Sequence, residues 1–238
     1  PTLAGLAAEK KYDDFRRQLD EAARHLLFVN LPAAALLFVL AEPIVQLLFQ
    51  YGEFSQAATE RAAWALRCLA PALPGYSLVL ILGRAFYALG EVKTPVRISV
   101  FCLGLNLVLA LAMVFQLDEN WRQCAFGVAN TISSTMNAAL LWITLSRRKE
   151  LTGLKLPGLS RQLPAMLMMA AAALGLAYWL QGSVAAPAEW GAVPQRLWQV
   201  FIPLLGASLA YWLLAAALGV DSAQSILKLF RRKNQKEP

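Results

Sequence analysis

Glu42 and Arg67 are the acidic and the basic residue that fall inside long apolar stretches of this chain, one directly before Pro43 and the other four residues before Pro71. At 1.5 Å of rise per helical residue they lie about 10 Å and about 8 Å inside the outer ends of their stretches. Opposite charges at similar depth on successive helices suit two chemistries. They can neutralise each other as an ion pair, or Arg67 can line a wet cavity and meet an anionic substrate. One of these, or snorkelling of Arg67 to the outer interface, is required, because an arginine at the centre of a membrane span costs roughly 2.5 to 3.5 kcal/mol on insertion scales.

Asn130, Ser134 and Asn137, with Thr131 and Ser133 beside them, form a second candidate surface. Spacings of four and three put the first group on one helical face. Such a face bonds to neighbouring helices, with Asn106 as a candidate partner, or it lines a transport path. Arg84, at the inner end of the second apolar stretch, joins Arg67, Asn130 and Asn137 as a candidate substrate-binding residue. Catalytic chemistry has no comparable set. The single histidine, His25, sits at the edge of the first stretch, no carboxylate pair or Ser/His arrangement is embedded, and Asp118 and Glu119 read as a solvated loop. Cys68, Cys102 and Cys124 are odd in number and set in apolar sequence, which suggests packing thiols with neither disulfide nor metal site. No cofactor is expected.

The elements that must position these residues are membrane spans. The chain is 58% hydrophobic and 16% charged, with a mean hydropathy of +0.49, far from a soluble average. Six apolar stretches, at about 26–49, 62–82, 96–117, 124–145, 163–181 and 197–220, each approach the roughly 20 residues needed to cross the hydrocarbon. Most of the 22 basic residues gather in every other connection. Lys10, Lys11, Arg16, Arg17 and Arg24 come before the first stretch, and Arg84, Lys93 and Arg97 lie between the second and third. Arg147, Arg148, Lys149, Lys155 and Arg161 lie between the fourth and fifth, and Lys228, Arg231, Arg232, Lys233 and Lys236 follow the sixth. Lysine- and arginine-rich loops stay in the cytoplasm, so both ends of the chain are expected inside. Charge placed this way is what insertion requires, and it argues against nucleic acid as the partner of the net charge of +7.

The expected fold class is all-α, a polytopic bundle of six transmembrane helices. Residues 1–23 read as a cytoplasmic amphipathic helix, with Asp13/Arg17 and Asp20/Arg24 as pairs four apart. Residues 24–146 read as a four-helix portion, 147–162 as a cytoplasmic loop, 163–220 as two further helices and 221–238 as a basic tail. Pro71, Pro74 and Gly75 predict a bend or an unwound turn in the second span. The last two spans contain no charge and carry small residues four apart, Ala171 with Gly175 and Gly206 with Ala210, which permit close helix approach. The chain starts at Pro1, without methionine or a signal-peptide pattern, and is expected to be a piece of a longer protein.

One sequence run carries more than physics. Gly83-Arg84-Ala85-Phe86-Tyr87-Ala88-Leu89-Gly90-Glu91-Val92-Lys93-Thr94-Pro95, with Leu48-Phe49-Gln50-Tyr51-Gly52-Glu53-Phe54 and the opening Pro1-Thr2-Leu3, resembles the MurJ/MviN family of lipid II flippases. The resemblance covers the whole chain as the last six of fourteen spans, the C-terminal part of a MATE-like flippase of the MOP superfamily. It implies transfer of the undecaprenyl-pyrophosphate-linked peptidoglycan precursor from the cytoplasmic to the periplasmic leaflet of the bacterial inner membrane, by alternating access of two lobes. It implies as partners that lipid, the surrounding membrane lipid and the N-terminal lobe of the same protein. It also implies a groove for the polyprenyl tail on the last two helices. The family's principal head-group arginines precede Pro1. Some members bind sodium in the second lobe; here spans three to six hold no carboxylate, and Asn106 is followed one turn later by Ala110.

The same residues leave other readings open. A flippase for a different polyprenyl-pyrophosphate-linked oligosaccharide would share the superfamily, and a drug/cation antiporter would show more embedded carboxylates. An integral-membrane transferase acting on polyprenyl phosphate would need catalytic acids at one interface, where only Asp118 and Glu119 stand.

Overall fold

The computed structural model describes residues 3–50, 55–119, 121–148, 151, 157–184, 191–218 and 220. Tyr51, Gly52, Glu53 and Phe54 of the outer turn, Lys149, Lys155, Trp190 and the basic tail lie outside the described residues. Those described form helices and no strand: α1 (Leu3–Ala8), α2 (Tyr12–Val39), α3 (Ala41–Phe49), α4 (Gln56–Leu69), α5 (Ala72–Ala88), α6 (Lys93–Gln116), α7 (Cys124–Ser146), α8 (Pro157–Ser183) and α9 (Ala192–Ala217).

The amphipathic segment and the first span are not separate elements, contrary to the boundary expected at residue 24. A short turn after α1, with Lys10 at φ +58°, is followed by one helix that runs without interruption from Tyr12 to Val39. The reason is hydrophobic phase. Phe15, Leu19, Ala23 and Leu27 are buried at successive spacings of four, so one stripe continues through both parts of the helix. In the turn, Lys11 Nζ lies 2.7 Å from Glu9 and holds that carboxyl below its ordinary range. The pairing of Asp13 also differs from expectation: its partner is Arg16, at 3.2 Å, in place of Arg17.

Prolines set the breaks. The first span divides at Leu40, because Pro43 has no N–H to give the Val39 carbonyl four residues back. The second divides between Leu69 and Ala72, where Pro71 and Pro74 interrupt the ladder and α4 meets α5 at 42°. Ala70 recovers a shorter bond from Leu73 N at 3.2 Å. By length and apolarity α2, α6, α8 and α9 are each able to cross a membrane, and α4 with α5 adds one bent candidate. α7 has 23 residues, about 34 Å of helix, and its polar stripe lowers its apolarity.

Three apolar clusters hold these helices. Phe28, Leu36, Met166, Met169, Ala173 and Tyr211 join α2 to α8 and α9. Phe15, Leu19, Ile81, Phe86, Leu141 and Leu145 join the N-terminal half of α2 to the C-terminal halves of α5 and α7, with Leu6 of α1 tucked against them. Ala41, Val45 and Ala63 join α3 to α4. The packed face of α8 differs from the small-residue stripe marked in the sequence: Ala171 and Gly175 are exposed, and Met166, Met169, Ala173 and Ala177 face inward.

Candidate functional site

Glu42 and Arg67 meet just beyond the two breaks. Glu42 stands two residues past Leu40 on α3, and Arg67 stands two residues before the end of α4. Arg67 Nη2 donates to Glu42 Oε2 at 3.2 Å, and its guanidinium lies 5.0 Å from the centroid of the Trp64 ring. Gln46 Nε2 reaches the other carboxylate oxygen at 3.5 Å. Arg67 is therefore engaged on two sides, and the pair neutralises both charges at one depth.

The stripe on α7 meets α5 and α6. Tyr76 OH donates to Asn130 Oδ1 at 2.8 Å, and Asn106 Nδ2 donates to the same oxygen and to Ser133 Oγ, both at 2.9 Å. Asn137 Nδ2 donates to Ser99 Oγ at 3.3 Å, while its Oδ1 is buried without a partner among the described residues. These groups line a cavity of about 270 Å³ between α5, α6 and α7. Close approach of the backbones makes the network possible. A Cβ on Gly75 would stand 2.7 Å from Ser134 Oγ, and one on Gly127 would stand 2.7 Å from Cys68. Thr131 Oγ1 donates to the Cys68 carbonyl at 3.2 Å, serving the ladder near the break before α5.

Arg84 is exposed near the C-terminal end of α5, and nothing among the described residues pairs with it. The motif around it builds a corner. Gly90, at φ +73°, ends α5, with Glu91 N bonded to Phe86 O at 3.0 Å and Gly90 N to Tyr87 O at 3.0 Å. That left-handed closure is one glycine adopts without cost. Glu91 then pairs with Arg148 beyond the end of α7 and bonds to Thr94 in the first turn of α6, while Arg148 also lies over Phe86. Much of the sequence run that carries the resemblance thus fixes how α5 passes to α6.

Several long-range contacts had no counterpart in the sequence reading. Asp20 is buried, and its Oδ1 accepts from Leu159 N at 2.9 Å, so α2 supplies the cap for the first turn of α8. A Cβ on Gly158 would stand 2.3 Å from Asp20 Oδ2, which is why the segment opening α8 carries glycine. Tyr76, Ser99 and Arg148 had no signal of their own. By contrast, Asp118 is exposed and the Glu119 carboxylate, itself highly exposed, lies 3.7 Å from Arg122, a solvated arrangement that offers the transferase reading no site. Among the described residues no group of three or more His, Cys, Asp or Glu is placed to hold a metal ion.

Known proteins resemble this chain over most of its length. The family described as "Lipid II flippase MurJ" matches residues 1–198. A probable lipid II flippase MurJ of Rhizobium meliloti is 30% identical over 232 residues, 98% of this chain and 42% of that protein. One from Bdellovibrio bacteriovorus is 29% identical over 235 residues, 99% of this chain and 42% of that protein. A solved structure titled "Lipid II flippase MurJ, inward closed conformation" superposes with a TM-score of 0.73 at 17% identity, covering 92% of this chain and 42% of the other. The chain spans less than half the length of these relatives.

Proposed function

Because this chain belongs to the lipid II flippase MurJ family, we propose that it forms the C-terminal portion of a flippase that carries the undecaprenyl-pyrophosphate-linked peptidoglycan precursor from the cytoplasmic to the periplasmic leaflet. The observation that carries this reading is the family match across residues 1–198, which includes both the corner motif and the polar face of α7. In this reading α2 with α3, α4 with α5, and α6, α7, α8 and α9 make six spans of the bacterial inner membrane. The alternation of basic loops then puts both ends of the chain in the cytoplasm.

The geometry supports a division of labour among the candidate residues. Arg84, exposed and without a pairing partner among the described residues, is the proposed first contact for the pyrophosphate at the cytoplasmic end of α5, since a guanidinium presents a fork of donors to phosphate oxygens. Asn137, whose Oδ1 has no partner among the described residues, is the proposed contact for polar groups of the cargo. Asn130 already accepts two hydrogen bonds at one oxygen and holds α5, α6 and α7 in register. Arg67, paired with Glu42, joins the outer half-helices rather than meeting cargo. Alternating access rocks one lobe against the other, so internally satisfied helix contacts keep this portion a stiff unit.

Reconstitution of the full-length protein in vesicles tests the cargo assignment. Lipid II should cross faster than a polyprenyl-diphosphate-linked glycan of different head group, and Arg84→Gln should slow it. Equal rates for both cargoes, or an unchanged rate in Arg84→Gln, overturns the corresponding part of the assignment.

A further inference from the structure

α8 packs on α2, α2 on α5 and α5 on α7, and this arc leaves α7 and α8 facing each other across a gap. The gap is a cavity of about 640 Å³, inside the roughly 300 to 1,000 Å³ of small-molecule sites. Its walls are apolar almost throughout. Leu78 and Leu82 of α5 form the floor, Ala138 and Trp142 of α7 one side, and Leu159 and Leu163 of α8 the other. Ile143 and Ala139 at its edge are exposed, so the cavity is open on that side among the described residues.

Its length and the charges at its mouth decide what fits. The α7 wall runs from Thr135 to Ile143, eight helical steps or about 12 Å. Pro71 and Pro74 at the break close the deeper end. One leaflet of hydrocarbon is about 15 Å deep, half of the roughly 30 Å core. The cavity therefore matches a chain confined to one leaflet better than a long polyprenyl tail. Arg147 lies one turn beyond Ile143, and Arg161 lies next to Ser160 at the rim. Both are exposed, and nothing among the described residues pairs with either.

We propose that the cleft between α7 and α8 holds one acyl chain of an anionic glycerophospholipid of the inner leaflet, with its phosphate at Arg147 and Arg161. This rests on the topology given under the proposed function, which puts both arginines on the cytoplasmic side. The lipid acts as a wedge between α7 and α8, and it joins α8 and α9 to the helices that carry the polar network.

The test uses full-length protein in bilayers doped with a photoreactive phosphatidylglycerol that carries a diazirine on one acyl chain, or with phosphatidylethanolamine of identical chains. Mass spectrometry locates the adducts. Adducts should concentrate on residues 135–143 and 160–163, with phosphatidylglycerol favoured by roughly fivefold for each arginine. The preference should vanish in Arg147→Gln/Arg161→Gln and return in Arg147→Lys/Arg161→Lys, and Ala139→Phe should reduce labelling by both lipids. Equal labelling by the two head groups overturns the phosphate site. Adducts spread evenly onto the exposed face of α6 overturn the cleft as a binding site. Displacement of the probe by an equal mole fraction of polyprenyl diphosphate assigns the cleft to the tail and overturns the phospholipid. Labelling does not need transport, so its failure leaves the flippase reading untouched, and a protein that fails to flip can still pass this test.

Discussion

The hydroxyl of Tyr211 on α9 donates to the backbone carbonyl of Phe28 on α2 at 2.8 Å, in a buried position. Phe28 is the residue whose carbonyl Pro32, four positions on, has no N–H to serve. A proline inside a membrane helix is tolerated when a neighbour satisfies the freed group, and here the neighbour is a tyrosine from the last helix. The two rings also pack at 5.1 Å, so the contact has a polar and an apolar component.

Tyr211→Phe keeps the ring and removes the donor. It should cost about 1 kcal/mol, in the range measured for hydrogen bonds between membrane helices. In a Pro32→Ala background, where residue 32 regains its N–H, the same substitution should cost much less. Thermal unfolding in detergent of all members of this double-mutant cycle is the measurement, and equal costs in both backgrounds would show that the hydrogen bond does not compensate for the proline.

The Glu42–Arg67 contact, 3.2 Å long and only partly buried, should appear as coupling rather than as two separate effects. Glu42→Gln and Arg67→Gln each leave one charge at depth, and the double variant leaves none. Its loss of stability should be smaller than the sum of the single losses by about 0.5 to 3 kcal/mol. Exchange of the residues, Glu42→Arg with Arg67→Glu, should recover part of the transport lost by either half alone. Additive losses and no recovery would return Arg67 to the role of a free cavity cation.

Glycine substitutions separate packing from helix propensity. On Gly127 a Cβ would fall 2.7 Å from the Cys68 backbone, whereas on Gly104 it would meet nothing within 4 Å. Gly127→Ala should force α4 from α7 and cost about 1 to 3 kcal/mol. Gly104→Ala should be neutral or stabilise α6 by up to about 1 kcal/mol. Melting of the two variants side by side is enough, and the reverse order of stability would rule out the close approach.

What could be read from sequence divides along a physical line. The apolar helices and the break in the second span follow from apolar run length and from Pro71 and Pro74, which act on their own chain neighbours, whereas the break at Leu40 ahead of Pro43 was not anticipated. The Asn106–Asn130 contact was legible because two polar residues inside apolar helices have few other partners. The partners that arrive from distant elements were not. Asp20 had a local explanation in Arg24 that concealed its bond to Leu159, which is 139 residues away. Tyr211 and Tyr76 look like ordinary aromatic residues of a span until the carbonyl of Phe28 or the side chain of Asn130 is placed beside them. The small-residue stripe on α8 misled because alanine is frequent on every face of that helix, so spacing alone does not choose the packed one.

Transport itself is measured most directly in cells depleted of their own lipid II flippase and supplied with the full-length protein, by following the appearance of lipid II in the outer leaflet with an externally added, membrane-impermeant probe. The account predicts that lipid II becomes accessible outside and growth resumes, and that Arg84→Gln slows both at equal protein level. Full-length protein present in the membrane at normal amount, with lipid II still confined to the inner leaflet, would contradict it.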